Sequence, residues 1–411
     1  MRRFVPFVPF QLVPAGALRT LARLVGTALV ALAILVRPAS GQNPPADTTH
    51  PAARRTVEFS GFVLVNGFYS NARTNNSDVP QLAEADTTGA AGSGGTIRQT
   101  RLGVFVSEPD VLGSTFSGEV DVDFFGGQQP SSGGRTFPLL RMRRALGTLQ
   151  WTHAQLLFGQ ESPLVAERSP RSLASVGFPD FAGAGNLWLW LPQGRVTFET
   201  GYTLRLALQA AVLAPAAGVA QTAFATQLDS AERSKRPSFE GRLRIGWGPS
   251  DDPSEIAVGG HLGWLKGLDS TTGDTLLVSK AVTVDARVKI GFAELIGEAY
   301  TGQALAGLGG GGIGQSVGAG GVPVRTKGGW GQLNIHPMPH VMFGGGCGLD
   351  DPDDADLPAT GRLRNFVCEG HVEWRPPGPL AFGFEYRRLS TRYQSGDFTA
   401  SHLNLAAGYR F

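Results

Sequence analysis

The chain has 411 residues, 17% of them charged and 42% hydrophobic, and a formal net charge of +2. That positive balance sits in residues 1–41, which hold five arginines and no acid; beyond them 31 basic side chains face 34 acidic ones, a balance of −3. No basic run remains to track phosphates, which excludes nucleic acid as a partner, and two cysteines, Cys347 and Cys368, are too few for a metal cluster while suiting an oxidising envelope.

The chain opens with Arg2, Arg3, Arg19 and Arg23 ahead of an apolar run over 24–36, followed by the small residues Ala39 and Gly41. The run falls short of the roughly twenty residues a spanning helix needs. Residues 1–41 therefore read as a cleaved signal peptide that exports the chain to the periplasm. Residues 42–56, rich in Pro and Thr, read as a flexible linker.

From residue 57 to 411 the pattern is β. No later segment is long and apolar enough for a helical span, and no 3.6-residue stripe is sustained. Phe116, Gly118, Val120, Val122 and Phe124 interleave with Thr115, Ser117, Glu119, Asp121 and Asp123. The same period of two places Leu204, Leu206 and Leu208 against Arg205 and Gln209, and Val282, Val284 and Val288 against Thr283, Asp285, Arg287 and Lys289. Strands of about ten residues match a tilted membrane-spanning strand, although a soluble β-sandwich shows the same alternation.

The connections separate the two architectures. Long polar linkers are expected near 71–95, 126–138, 161–186, 214–237, 265–277, 302–322, 350–361 and 393–398, alternating with tight links near 108–114, 150–152, 201, 248–254, 291, 336–340 and 376–379. Such sorting implies an all-β fold: a closed antiparallel transmembrane β-barrel of about sixteen strands, with long extracellular loops and short periplasmic turns. Tyr202, Trp247, Trp374, Tyr409 and Phe411 fall on the apolar parity at short-turn ends, as an interfacial girdle would. The closing stretch Leu403, Leu405, Ala407, Tyr409, Phe411 resembles the signal read by the outer-membrane assembly machinery.

In such a barrel function resides in the lumen wall. Glu119, Asp121 and Asp123 point inward by parity, as do Arg141 and Arg143 on the next strand, with Arg144 on the opposite parity. One register pairs Asp123 with Arg141 and Asp121 with Arg143 as a stiff ladder; a one-step slip frees the arginines as a positive strip. Arg101, Arg205, Arg242, Arg244, Arg287 and Lys289 are further inward candidates, able to relay anions. Segment 161–186 mixes apolar residues with Glu161, Glu167, Arg168, Arg171 and Asp180, a composition that suits a loop folded into the barrel as a constriction.

Here the residues resemble a known family. Arg98-Gln99-Thr100-Arg101-Leu102-Gly103-Val104, the acidic strand ending Val122-Asp123-Phe124-Phe125, Leu140-Arg141-Met142-Arg143-Arg144-Ala145 and Leu157-Phe158-Gly159-Gln160 resemble the trimeric DcaP-like porins and, more distantly, the phosphate-selective porins. That resemblance, over roughly residues 57–200 and the last strand, implies passive uptake of small hydrophilic solutes with a preference for dicarboxylate-like anions. It further implies a homotrimer in outer-membrane lipid, no cofactor, and Arg101, Arg141 and Arg143 on the anion path, freed rather than neutralised.

Rival readings are a lipase-type outer-membrane enzyme, needing a serine beside His153, His261 or His402, and a soluble secreted β-sandwich binding protein. Gly314-Gln315-Ser316-Val317-Gly318 matches a nucleophile elbow but lacks a strand-to-helix context. The acidic run Asp350, Asp351, Asp353, Asp354, Asp356 lacks the glycine and glutamate of an EF-hand, and His336 and His340 have no third metal ligand. Cys347 and Cys368 should face lipid with Phe343 and Phe366, either bridged or as two inert thiols.

Overall fold

The computed structural model describes residues 55–85, 91–127, 138–218, 227–269 and 273–411. The expected signal peptide, and the expected linker up to residue 54, lie outside the described residues.

Seventeen strand segments follow in order: β1 (Thr56–Ser70), β2 (Gly92–Thr96), β3 (Arg101–Val111), β4 (Ser114–Asp123), β5 (Arg141–Gln150), β6 (Ala154–Glu161), β7 (Leu191–Thr200), β8 (Leu204–Leu213), β9 (Ser238–Trp247), β10 (Ser254–Asp269), β11 (Gly273–Ile290), β12 (Ala293–Gln303), β13 (Arg325–Met338), β14 (Val341–Pro352), β15 (Arg362–Trp374), β16 (Leu380–Tyr393) and β17 (Gly396–Arg410). Each pairs antiparallel with its neighbours, and β1 pairs with β17, from Phe62 opposite Arg410 to Ser70 opposite His402. Segments β2 and β3 are two halves of one stave, since both pair with β1 on its other edge. The result is a closed sixteen-stave antiparallel barrel. Closure gives every ladder donor an acceptor, which open sheets cannot do in lipid.

The stave breaks because its register changes. Between Phe62 and Asn66 on β1 the partner runs from Arg101 back to Thr96, one residue more than the pleat can hold. The excess leaves the ladder at 97–100. There the Thr100 hydroxyl accepts the Leu64 N–H at 3.1 Å, and Gln99 turns wholly into the interior.

The two faces are the reverse of a soluble sandwich. Leu204, Leu206 and Leu208 and, on β11, Val282 and Val284 are exposed on the outside, while Thr283 and Asp285 between them are buried inside. Thr283, expected to meet water, instead lies beneath an inward loop: a Cβ built on neighbouring Gly259 would sit 2.9 Å from its hydroxyl and 3.2 Å from Val165. Tyr202, Trp374, Tyr409 and Phe411 are exposed at the short-turn end, forming the apolar girdle.

Tight links occur where the sequence places them, and Gly201 shows why: its φ is +99°, and a Cβ there would lie 2.0 Å from the Leu204 carbonyl oxygen. Two expected long linkers are shorter. Segment 265–277 is mostly strand, since Leu265 pairs with Leu277 and Lys266 with Leu276, so the β10–β11 hairpin outlasts the apolar band. The last turn closes between Tyr393 and Gly396. Cys347 and Cys368 lie directly opposite on β14 and β15, Cα atoms 4.1 Å apart, and are joined by a disulfide on the outward face.

Candidate pore constriction

The third long connection, residues 162–190, turns inward as soon as β6 ends. Its apolar residues drive this: Leu164, Val165, Ala166, Leu173, Ala174, Phe181 and Leu187 are buried, the first three in a core with Leu213, Tyr300, Leu305 and Leu308. The next requirement is satisfaction of its polar groups by the wall. The Leu164 N–H donates to Glu240 of β9 at 2.6 Å, Arg168 reaches Asp285 of β11 at 2.7 Å and also Glu255 of β10, and the Arg171 N–H donates to Gln332 of β13 at 2.8 Å. Ser175 donates to Glu385 of β16 at 3.1 Å, Asp180 pairs with Arg387 of the same strand, and the Gly177 N–H donates to Gln99 at 2.8 Å. The loop therefore crosses the lumen from the β6–β7 side to β16 and back.

Two glycines allow contact without spacing. Gly185, at φ +94°, would place a Cβ 2.3 Å from the Gly329 carbonyl oxygen, and a Cβ on Gly348 would lie 2.2 Å from that of Ala184. Loop backbone and wall backbone touch there, which no larger residue permits.

Two charge networks stand out among the described lumen residues. On the β7–β11 side Arg195 and Arg242 each bind Glu167 at 2.7 Å, Arg242 and Arg168 each bind Asp285 at 2.7 Å, and Arg168, Glu255, Arg244 and Glu199 extend the alternation. On β3–β5, Arg101 binds Asp121 at 3.2 Å, and Arg141 binds Asp123 at 2.6 Å. Arg143 reaches both acids, Asp123 at 3.0 Å and Asp121 at 3.3 Å. Arg144, expected outside, points in. A bulge sets Asp121 opposite Arg144 and Val122 opposite Met142, so Arg143 is the extra residue and Arg144 meets Glu119 at 2.8 Å and Glu161 at 2.5 Å.

The expected strip of freed arginines is thus replaced by pairing. The pairs are unevenly presented. Fractional side-chain exposure is 34% for Arg101 against 6% for Asp121, 19% for Arg141 against 0% for Asp123, and 41% for Arg171 against 3% for its partner Glu294. Among the described lumen pairs the order reverses toward β7–β11, at Glu167, Glu199 and Asp252.

Aromatic rings complete the β3–β5 wall. The Arg98 guanidinium lies 4.0 Å from the Phe125 ring centre, Arg143 lies 4.5 Å from Trp190, and Arg141 lies between 5.2 and 5.4 Å from Phe178, Phe125 and Trp190. Such contacts hold planar guanidiniums without neutralising them. Trp188 and Trp190 escape sequence reading because Leu187-Trp188-Leu189-Trp190-Leu191 looks like strand; the only hint is apolar aromatics immediately after an inward loop.

Other candidates lie elsewhere. Arg205 caps carbonyls of Gly248 and Pro249 at the short-turn mouth, at 3.2 and 3.3 Å. Arg287 and Lys289 hold Asp252 of the adjoining turn, and the hydrogen bond from Lys289 keeps that carboxyl below its usual range. His402 does have a serine partner, Ser70 Oγ at 2.9 Å from Nδ1, but both are buried and its Nε2 meets no acid, so no triad forms. In the acidic loop, Asp350 accepts from Thr326, Gly312 and Ile313 while Asp356 holds Arg325, so these carboxylates diverge instead of converging on an ion.

No protein-family model and no curated protein sequence matches the chain. Solved structures do. The outer membrane channel DcaP of Acinetobacter baumannii superposes with a TM-score of 0.66 at 18% identity, over 87% of this chain and 97% of that one. The anion-selective porin of Comamonas acidovorans gives 0.54 at 11% identity, over 87% and 100%, and OprB of Pseudomonas putida gives 0.54 at 11%, over 86% and 94%. The chain has the fold of the porin-type outer-membrane channels: a closed sixteen-stave barrel.

Proposed function

We propose that the protein is an outer-membrane porin, a homotrimer without catalytic turnover, through which small hydrophilic solutes diffuse past the 162–190 loop with a preference for anions. The fold it shares with a channel and an anion-selective porin supports the first part. Uneven exposure within the β3–β5 ion pairs, and in the pair of loop residue Arg171 with Glu294 of β12, carries the second: charges sum to zero, but carboxylates sit behind guanidiniums, so a passing ion meets Arg101, Arg141 and Arg171 first. At contact range the nearer charge dominates, and screening over about 8 Å suppresses the rest. Arg98, Arg141 and Arg143, held on Phe125, Phe178 and Trp190, would form the anion path with Arg101 and Arg144, with Asp78, Glu119, Asp121, Asp123 and Glu161 as its backing; Arg205, Arg287 and Lys289 would act at the mouth.

The test is single-channel recording in planar bilayers, with the zero-current potential measured across a salt gradient. The expected result is stepwise conductance with the sign of anion preference. Cation preference would remove the arginine wall from the mechanism, and absence of conductance would refute the pore.

A further inference from the structure

Near the long-loop end, the outward face of β15–β17 changes from apolar to basic. Phe384, Tyr386, Leu403 and Leu405 present an apolar surface, and then Arg364, Arg388 and Arg392 stand exposed among Ser390 and Ser401. Arg364 on β15 pairs directly opposite Arg392 on β16. Like charges directly opposed across two strands are unfavourable. Arg392 shares Asp397 at 2.8 Å and Arg388 donates to Ser401 at 2.9 Å, but among the described residues Arg364 has no hydrogen-bond or ion-pair partner. Asp397 is thus paired with Arg392 alone, and no described acid is bound to Arg364 or Arg388. Between them Arg364, Phe366, Ser390, Arg392 and Asp397 line a groove of about 140 Å³.

Height on the barrel identifies what meets this groove. Ten residues separate Trp374, in the short-turn girdle, from Arg364 on the same strand. At a rise of about 3.3 Å per residue and a tilt of about 40°, that is roughly 25 Å along the membrane normal, the height of the apolar band. Arg364 and Arg392, which pair with each other, therefore clear the hydrocarbon, where a cation costs about 2–4 kcal/mol, and stand at the headgroup level of the outer leaflet; Arg388, four residues below Arg392, starts about 10 Å lower and lies on the same face, where its long stem can carry the charge toward that level. A planar fork with no protein partner, opposite a second one, is suited to bidentate contact with phosphate.

We propose that Arg364, Arg388 and Arg392 form a binding site for the phosphate groups of an outer-leaflet glycolipid, whose acyl chains lie along Phe366, Phe384 and Tyr386. The phosphate relieves the opposition of Arg364 and Arg392, and Ser390 adds a donor. The site rests on the outer-membrane reading above but makes no use of the lumen.

The test compares wild type, Arg364→Gln, and the triple variant Arg364→Gln, Arg388→Gln, Arg392→Gln, each purified in detergent. Binding is measured for lipid A carrying both phosphates, for dephosphorylated lipid A and for phosphatidylglycerol. Wild type should bind phosphorylated lipid A at least tenfold more tightly than it binds the dephosphorylated form, and the triple variant should lose that difference. The single variant, which removes the like-charge opposition and so folds at least as well, should lose severalfold in affinity. Equal affinity of wild type and variants, or equal affinity for both forms of lipid A, would overturn the site. Tighter binding of phosphatidylglycerol would overturn the glycolipid assignment, and dissociation of an oligomer with glycolipid affinity unchanged would give the face to a second copy of the chain. Conductance of wild type and triple variant should be equal; loss of conductance in wild type with lipid binding intact would refute the pore and leave this site standing.

Discussion

Replacing Asp123 by Asn removes one negative charge from behind the arginine wall with almost no change in shape. Asp123 is fully buried, binds Arg141 at 2.6 Å and Arg143 at 3.0 Å, and accepts the Phe125 N–H at 2.9 Å. An asparagine carbonyl can keep that last bond. Arg143 retains Asp121 and the Val176 carbonyl, and Arg141 retains the Gly177 carbonyl and its aromatic neighbours, so the wall should stand. The wall's charge changes from zero to +1. For an ion passing about 6 Å away, Coulomb's law in water gives about 0.7 kcal/mol, and screening at physiological salt reduces it to about 0.3 kcal/mol. Anions gain and cations lose by that amount, so their permeability ratio should rise about threefold. The zero-current potential across a salt gradient reads this directly, and the double variant Arg141→Ala, Arg143→Ala should move it the other way. An unchanged potential in Asp123→Asn, with the wall intact by conductance, would show that permeating ions do not sense these guanidiniums.

Three further outcomes are expected. Val284→Arg, on the exposed apolar face of β11, should cost about 2–4 kcal/mol and deplete the heat-modifiable folded band on a denaturing gel, whereas Val284→Leu should not; equal folding would place that face away from lipid. Arg387→Met should strip Asp180 and Glu385 of their buried partner, destabilise the barrel by about 3–5 kcal/mol and release the loop, seen as a lower melting temperature and larger, noisier conductance. Asp356, held below the ordinary carboxylate range by its hydrogen bond from Arg325, should stabilise its loop fully above about pH 4 and lose that contribution as pH falls through its depressed value. Cleavage in 353–361 by an acid-active protease should therefore begin in wild type only at strongly acid pH, and Asp356→Asn should already be cleaved at pH 5.

The barrel was legible because its two signals are local. Alternation at Val282, Val284 and Asp285 reports a face, and sorted connection lengths report which end is which. Register is less local. The bulge that admits Arg144 to the lumen arises where β4 and β5 meet, and the consecutive arginines Arg143 and Arg144 do not show which residue is the extra one. Likewise Arg168, Arg171 and Asp180 stood out as charges within an apolar loop, but their partners Glu255, Glu294 and Arg387 are 87 or more residues away and were fixed only by the reach of the folded loop. The polar tip of the β10–β11 hairpin, with Lys266 and Asp269, reads as loop because strands above the membrane need no apolar face.

The seam between β1 and β17 has a consequence in time. Asn66 and Asn404, 338 residues apart, share a buried amide hydrogen bond of 3.0 Å, so the first stave has no second neighbour until the last one has been delivered. Until then two unpaired edges stay open, and the chain must be carried to its destination without its final shape. The seam also makes an all-or-nothing decision. A slip of one residue would drive Leu405, 62% exposed outside, into the lumen and turn the Asn404 amide toward hydrocarbon, and because the ring is closed the error would be passed around every stave. The last pairing to form is therefore the one that checks the register of all the others.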